Sequence, residues 1–76
     1  MVMPFIDVKM FPGKTEEEKK VFAEKLIKFC AAELEKPEAA FSVAVADVQP
    51  EDWNSEVADK VSDEAIYAGT MYRKGE

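Results

Sequence analysis

A long helical pattern between two strand-like segments limits most strongly what this chain can fold into. Thr15 is followed three places later by Glu18, a T-x-x-E capping box that marks the start of a helix. Apolar residues then recur at helical spacing until Pro37, which ends the helix because a residue before proline avoids helical angles. We therefore predict a helix from about residue 16 to about residue 35, with its charged residues on a solvated face.

Strand patterns flank this helix on both sides. Residues 3–13 read MPFIDVKMFPG and place Ile6, Val8 and Met10 on one face, with polar residues between them. Residues 40–48 read AFSVAVADV and are apolar on both faces, which predicts a central strand that is covered on both sides. Strand, long helix and strand in this order predict a right-handed βαβ unit with parallel strands.

The remaining chain completes an α+β fold. Pro50 opens a predicted short second helix that ends near Val61. The tail at 65–72, AIYAGTMY, has the composition of a strand and is interpreted as a C-terminal edge strand, added to this sheet or to a neighbouring subunit. Residues 1–76 form one domain, in which 1–3 are interpreted as an extension or as an ambiguity in the start of the chain.

Composition narrows the classes of function. A chain of 76 residues that is 47% hydrophobic carries more apolar surface than one small core buries, so we expect a homo-oligomer. A net charge of −6 argues against nucleic acids and anionic membranes as partners. Without histidine, and with Cys30 as the one cysteine, neither a Ser-His-Asp system nor a zinc site is expected. The sequence has no apolar run long enough to span a membrane and no signal-peptide pattern, so we expect a cytoplasmic location.

Two motifs resemble the tautomerase superfamily, and within it the 4-oxalocrotonate tautomerase-like proteins, closest to the tautomerase PptA-like group. They are MPFIDVKMFPG at 3–13 and VQPEDW at 48–53, separated by a helix of the family's length. The resemblance implies a βαβ subunit that assembles as a homodimer or hexamer. It also implies an enzyme that interconverts the enol and keto forms of a small 2-oxo acid without a metal or cofactor.

The resemblance assigns roles to four residues. Pro4 matches the amino-terminal proline that acts as general base and acid in the family. Lys14 matches a cation that holds the substrate carboxylate, and Trp53 matches an aromatic residue that shapes the pocket. Ser42 stands roughly where a second arginine is usual, which argues for a monoanionic substrate rather than a dicarboxylate.

Each assignment has a plainer alternative. Pro4 also suits the start of any strand, Lys14 any loop, and Trp53 a subunit interface. The chain could also be a non-catalytic oligomeric module of this fold, or a related decarboxylase, hydratase or dehalogenase. With Met1 and Val2 ahead of Met3, the nitrogen of Pro4 is an amide and cannot act as a base, so the predicted enzyme requires a chain that begins at Pro4.

Overall fold

The computed structural model describes residues 3–75, and the predicted extension at Met1 and Val2 lies outside them. The chain forms strand β1 (Phe5–Met10), helix α1 (Glu16–Leu34), strand β2 (Ser42–Asp47) and the short helix α2 (Trp53–Glu56). The strands pair in parallel, from Phe5 opposite Ser42 to Met10 opposite Asp47. The predicted α+β fold with a single βαβ unit is therefore confirmed.

Helix α1 begins and ends where local chemistry requires. The Thr15 hydroxyl accepts a hydrogen bond from the Glu18 N–H at 3.1 Å, and the Glu18 carboxylate accepts one from the Thr15 N–H at 2.9 Å. This capping box satisfies two of the N–H groups that a helix start leaves unpaired. At the other end Glu35 turns into the left-handed region at φ 54°, one residue before the extended approach to Pro37.

Helix α1 covers one face of the sheet, and the segment around α2 covers part of the other. Helix α1 packs mainly against β2, and the side chains of β1 alternate between half-buried and exposed. The buried core residues are Ala31, Phe41, Val48, Val57 and Ala58. Ser42 and Ala44 are exposed on the opposite face, whereas Val48 at its carboxyl end is buried. Within residues 3–75 the prediction that β2 is covered on both sides is therefore wrong for its amino-terminal half.

The C-terminal third differs from the prediction in detail. The second helix is present, but its α-helical part is one turn long, with 3-10 turns at Pro50–Asp52 and Ala58–Lys60 on either side. Within residues 3–75 the predicted edge strand does not form, and side chains of α2 instead bind the backbone of Tyr72 and Lys74 at the end of this segment. In the same part of the chain no helix is long and apolar enough to cross a membrane.

Candidate active site

The amino-terminal end of the sheet brings Pro4 and Ser42 together. The Ser42 N–H donates a hydrogen bond of 3.3 Å to the Pro4 carbonyl, so this carbonyl extends the ladder by one step beyond β1. Pro4 is half-buried, whereas Met3 and Phe5 on either side of it are 62% and 63% exposed. Two of the four predicted site residues are therefore neighbours, and the backbone of β2 fixes the position of Pro4.

Lys14 lies at the opposite end of β1, on the turn that leads into α1. Gly13 allows this turn, since its φ of 146° is in a region that side chains rarely adopt. The exposed lysine borders a concavity of about 270 Å³ between the end of β1 and the first turns of α1. The lining residues are Met10, Lys14, Glu18, Lys19 and Phe22. An apolar floor with cations at its rim suits the carboxylate of a small organic acid.

Lys19 forms the main ion pair of this end of the sheet. Its Nζ lies 2.9 Å from the Asp47 Oδ1, and its side chain is only 14% exposed. The expectation that the charged residues of α1 form a solvated face is therefore wrong for Lys19. Asp47 ends β2 beside Met10, and its carboxylate draws this lysine across the end of the sheet.

Glu18 has a lowered pKa at the rim of the same concavity. The cause is mainly the hydrogen bond that its carboxylate accepts from the Thr15 N–H, to which the positive charge of Lys14 adds. Both favour the charged carboxylate and outweigh the small effect of burial. Glu18 is therefore ionised at neutral pH, and its charge partly offsets the cations around it.

Trp53 is held in an aromatic cluster with Phe11 and Tyr72. Its ring centroid lies 5.2 Å from that of Phe11 and 6.4 Å from that of Tyr72, both in edge-to-face arrangements. Its indole N–H donates a hydrogen bond of 2.9 Å to the Tyr72 carbonyl. A shallow concavity of about 340 Å³ opens between the three rings. Because the indole N–H already has a partner, Trp53 offers a ligand an apolar ring surface.

The exposed face of β1 carries a second concavity that Trp53 also borders. Asp7 and Lys9 lie there side by side, with Lys9 Nζ 3.3 Å from the Asp7 carboxylate. The concavity has a volume of about 640 Å³ and is closed on its other sides by residues 56–61 and Met71. Trp53 thus stands between an aromatic cluster and a charged strand face.

The predicted site residues do not meet within one chain. Pro4 and Ser42 lie at the amino-terminal end of the sheet, whereas Lys14 and Trp53 lie beyond its carboxyl end or beside it. A strand rises about 3.3 Å per residue, so the six residues of β1 separate Pro4 from Lys14 by roughly 20 Å. Lys14 and Trp53 also border different concavities.

Several residues of these surfaces escaped the sequence analysis. Phe11 and Tyr72 fall in the two segments that the sequence predicts as strands. However, β1 ends at Met10, and the tail forms no strand within residues 3–75. Only their aromatic type, in positions beside a turn and in a tail, hints at a cluster. Lys19 and Asp47 are far apart in sequence, and the one signal for their pairing is that both fall at the same end of the predicted parallel unit. Among residues 3–75, no group of three or more His, Cys, Asp or Glu side chains is arranged to hold a metal ion.

Comparison with known proteins decides the family. The family model described as "Tautomerase enzyme" matches residues 4–64, so the match begins at Pro4. The chain belongs to the tautomerase family. Tautomerase PptA of Cronobacter sakazakii is 41% identical over 58 residues, which cover 75% of this chain and 76% of that protein. Tautomerase PptA of Pectobacterium carotovorum and that of Pectobacterium atrosepticum are each 43% identical over 60 residues, covering 78% of this chain and 79% of theirs.

Membership of the tautomerase family gives the geometry a chemical context. A tautomerase is an isomerase that moves a proton within a small-molecule substrate, so its site needs a proton-transfer group and a means of holding the substrate. The matched range contains all four predicted site residues, Pro4, Lys14, Ser42 and Trp53. It ends before Tyr72, so the family match does not include the third ring of the aromatic cluster.

Proposed function

We propose that this tautomerase interconverts the enol and keto forms of a small, monoanionic 2-oxo acid, with the amino group of Pro4 as general base and acid. The observation that carries the proposal is that the family match begins at Pro4, a residue whose backbone the sheet holds in place. In the active chain Pro4 is the first residue, and its nitrogen is a secondary amine.

The chemistry requires only a proton carrier of the correct pKa. A free α-amino group has a pKa of about 7.7–8.0 in peptides, and apolar surroundings lower the pKa of an amine further. During ketonisation the amine takes the enol hydroxyl proton and a proton is returned to the neighbouring carbon of the double bond. The enol oxygen becomes the carbonyl oxygen, and the substrate neither gains nor loses a proton overall.

Lys14 would hold the substrate carboxylate, and it would do so from a second subunit. Because roughly 20 Å separates Lys14 from Pro4 along β1, one chain cannot offer both groups to a small 2-oxo acid. The exposed sheet face and the exposed Phe5, Phe29 and Leu34 provide apolar surface for assembly. We therefore propose a homodimer or hexamer whose sites combine Pro4 and Ser42 of one chain with Lys14 of another, and with Trp53 as an apolar wall.

The charge of the substrate, the lack of a cofactor and the location of the enzyme complete the proposal. Ser42 offers no positive charge beside Pro4, so a second carboxylate on the substrate would lack a cationic partner there. No cofactor has a role in the proton transfer. The half-buried free thiol of Cys30 suits the reducing cytoplasm, where we place the enzyme.

The test compares two forms of the chain in ketonisation of an aryl enol-pyruvate, followed by ultraviolet absorbance. One form begins at Pro4, and the other is the full sequence from Met1. We expect turnover only from the first, because an amide nitrogen at Pro4 has no basic lone pair. Equal turnover by both forms would show that another group is the base. Turnover by neither would favour the non-catalytic assembly module, for which the exposed apolar surface is the supporting observation.

A further inference from the structure

The C-terminal segment Tyr72–Lys74 is bound to α2, which carries Trp53, and to the 3-10 turn that follows α2. Asn54 binds the backbone of Lys74 twice, donating to its carbonyl at 3.0 Å and accepting from its N–H at 2.9 Å. Arg73 donates to the Asp59 carboxylate at 2.7 Å and to the Ala58 carbonyl at 3.3 Å. A segment so close to the end of a chain is usually poorly ordered unless it is tied down, and here side chains tie it down.

These contacts converge on Trp53. The Tyr72 carbonyl accepts the indole N–H at 2.9 Å, and the Tyr72 ring packs against both Trp53 and Phe11. The double hydrogen bond from Asn54 holds the backbone two residues further on, which fixes the direction in which that carbonyl points. The indole is therefore held from one side by Phe11, at the end of β1, and from the other by the C-terminal segment.

We propose that Tyr72–Lys74 is a positioning strap, which sets the orientation of the Trp53 ring and thereby the apolar wall of the substrate site. This inference rests on the role given to Trp53 in the proposed function. The strap does not touch the substrate in this scheme. It acts in two ways. Its Tyr72 carbonyl accepts the hydrogen bond of the indole N–H, so that Trp53 recognises a substrate by apolar contact with its ring. It also keeps the ring in one orientation.

The test uses Trp53 as its own reporter, since it is the only tryptophan of the chain. Asn54→Ala removes both hydrogen bonds to Lys74. The control is Ser55→Ala, which removes the hydrogen bond from the Ser55 hydroxyl to the Asp52 carbonyl. That hydrogen bond does not involve the strap. A second control, Tyr72→Phe, keeps the ring and the carbonyl. For each full-length variant, acrylamide quenching of Trp53 emission is measured, and far-ultraviolet circular dichroism checks the fold.

We expect quenching to increase in Asn54→Ala and to match the unmodified chain in both controls. In chains that begin at Pro4, Asn54→Ala should raise KM by about 2- to 10-fold, the factor that ordinary hydrogen bonds contribute, and leave kcat unchanged. A chain that ends at Met71 should show the same pattern more strongly. A purely structural role would lower the folded fraction without separating KM from kcat.

Two results would overturn the inference. If quenching in Asn54→Ala and in the chain that ends at Met71 equals that of the unmodified chain, the strap does not hold the indole. If quenching rises while KM stays constant, the strap holds Trp53 but the substrate site does not depend on it. Absence of turnover in the unmodified chain that begins at Pro4 would instead refute the proposed function, and the quenching comparison would still decide whether the strap holds the ring.

Discussion

The two ends of β1 differ in what fixes their predicted site residue. At the amino-terminal end, a backbone hydrogen bond from Ser42 places Pro4, and no side chain is needed for it. At the carboxyl end, Lys14 stands on an exposed turn among groups that side-chain contacts hold, including the Lys19–Asp47 pair. A substitution at Pro4 should therefore alter chemistry without altering the fold. At the carboxyl end we expect effects on binding at Lys14 and effects on stability at the Lys19–Asp47 pair.

The largest effect is expected from Pro4→Ala in a chain that begins at this position. Alanine keeps a terminal amine but loses the ring that orients its lone pair, so the rate of ketonisation should fall by about 10²-fold, the lower end of what general acid–base catalysis contributes. The thermal midpoint should change little, because the alanine carbonyl can still accept from the Ser42 N–H. A large fall in the thermal midpoint would show that the fold, and not only the chemistry, depends on the proline ring at this position.

Lys14→Ala should mainly weaken substrate binding. Loss of a charged hydrogen bond worth about 1.5–3 kcal/mol would raise KM by roughly 10- to 100-fold, and Lys14→Arg should keep most of the affinity.

Mixed oligomers test whether the Lys14 and the Pro4 of one site come from different chains. Pro4→Ala and Lys14→Ala subunits, inactive or weak alone, should regain activity when refolded together, because one of the mixed sites has both groups. Unchanged activity after mixing would place Lys14 and Pro4 of the same chain in one site.

The ion pair at the carboxyl end should contribute to stability rather than to chemistry. Asp47→Asn leaves the Lys19 ammonium, on a side chain that is only 14% exposed, with the distant and solvated Glu16 carboxylate at 3.9 Å as its remaining partner. We expect the free energy of unfolding to fall by about 1–2 kcal/mol in urea titrations, since the partner carboxylate remains partly solvated. The double variant Lys19→Met/Asp47→Asn should recover part of this loss. A loss in the double variant equal to the sum of the losses in Lys19→Met and Asp47→Asn alone would show that the pair is not coupled.

The smallest effect concerns Glu18 and pH. Its pKa is lower in the folded chain than its ordinary value of 4.5, so its charged form stabilises the folded state above that pH. This contribution is lost as the pH falls below 4.5 through the folded pKa. Glu18→Gln can still accept from the Thr15 N–H, and it should flatten this part of the stability curve at acid pH. An unchanged curve would show that other carboxyl groups account for the acid sensitivity.

The sequence predicted the local backbone structure of the βαβ unit correctly, but it did not predict the side-chain contacts between distant residues. The capped helix and the two strand segments depend on local spacing, and the structure confirms both. The tail was predicted as a strand because its composition is strand-like. Composition could not show that Trp53 and Asn54 would take the backbone groups of Tyr72 and Lys74. The pairing of Lys19 with Asp47 depends on a register that only the folded sheet defines.

The predicted strand over residues 3–13 already implies a separation of two candidate groups. Pro4 and Lys14 lie ten positions apart, at the two ends of this strand. An extended strand between them keeps both from contacting one small molecule within one chain. In the proposed oligomer, whether the two groups meet depends on how the subunits pack, which the spacing of residues within one chain does not show.

The register of the sheet also dictates the order in which this chain can fold. Every pair of β1 with β2 joins positions as distant as Phe5 and Ser42, with the whole of α1 between them. Closing such a loop costs entropy before any pairing offsets it, so we expect the strands to pair after the local contacts of the helix form. The capped helix, whose contacts are local, should therefore form first and bring the strands together. Refolding monitored by helical circular dichroism should then be ahead of the burial of Phe41 and Val48.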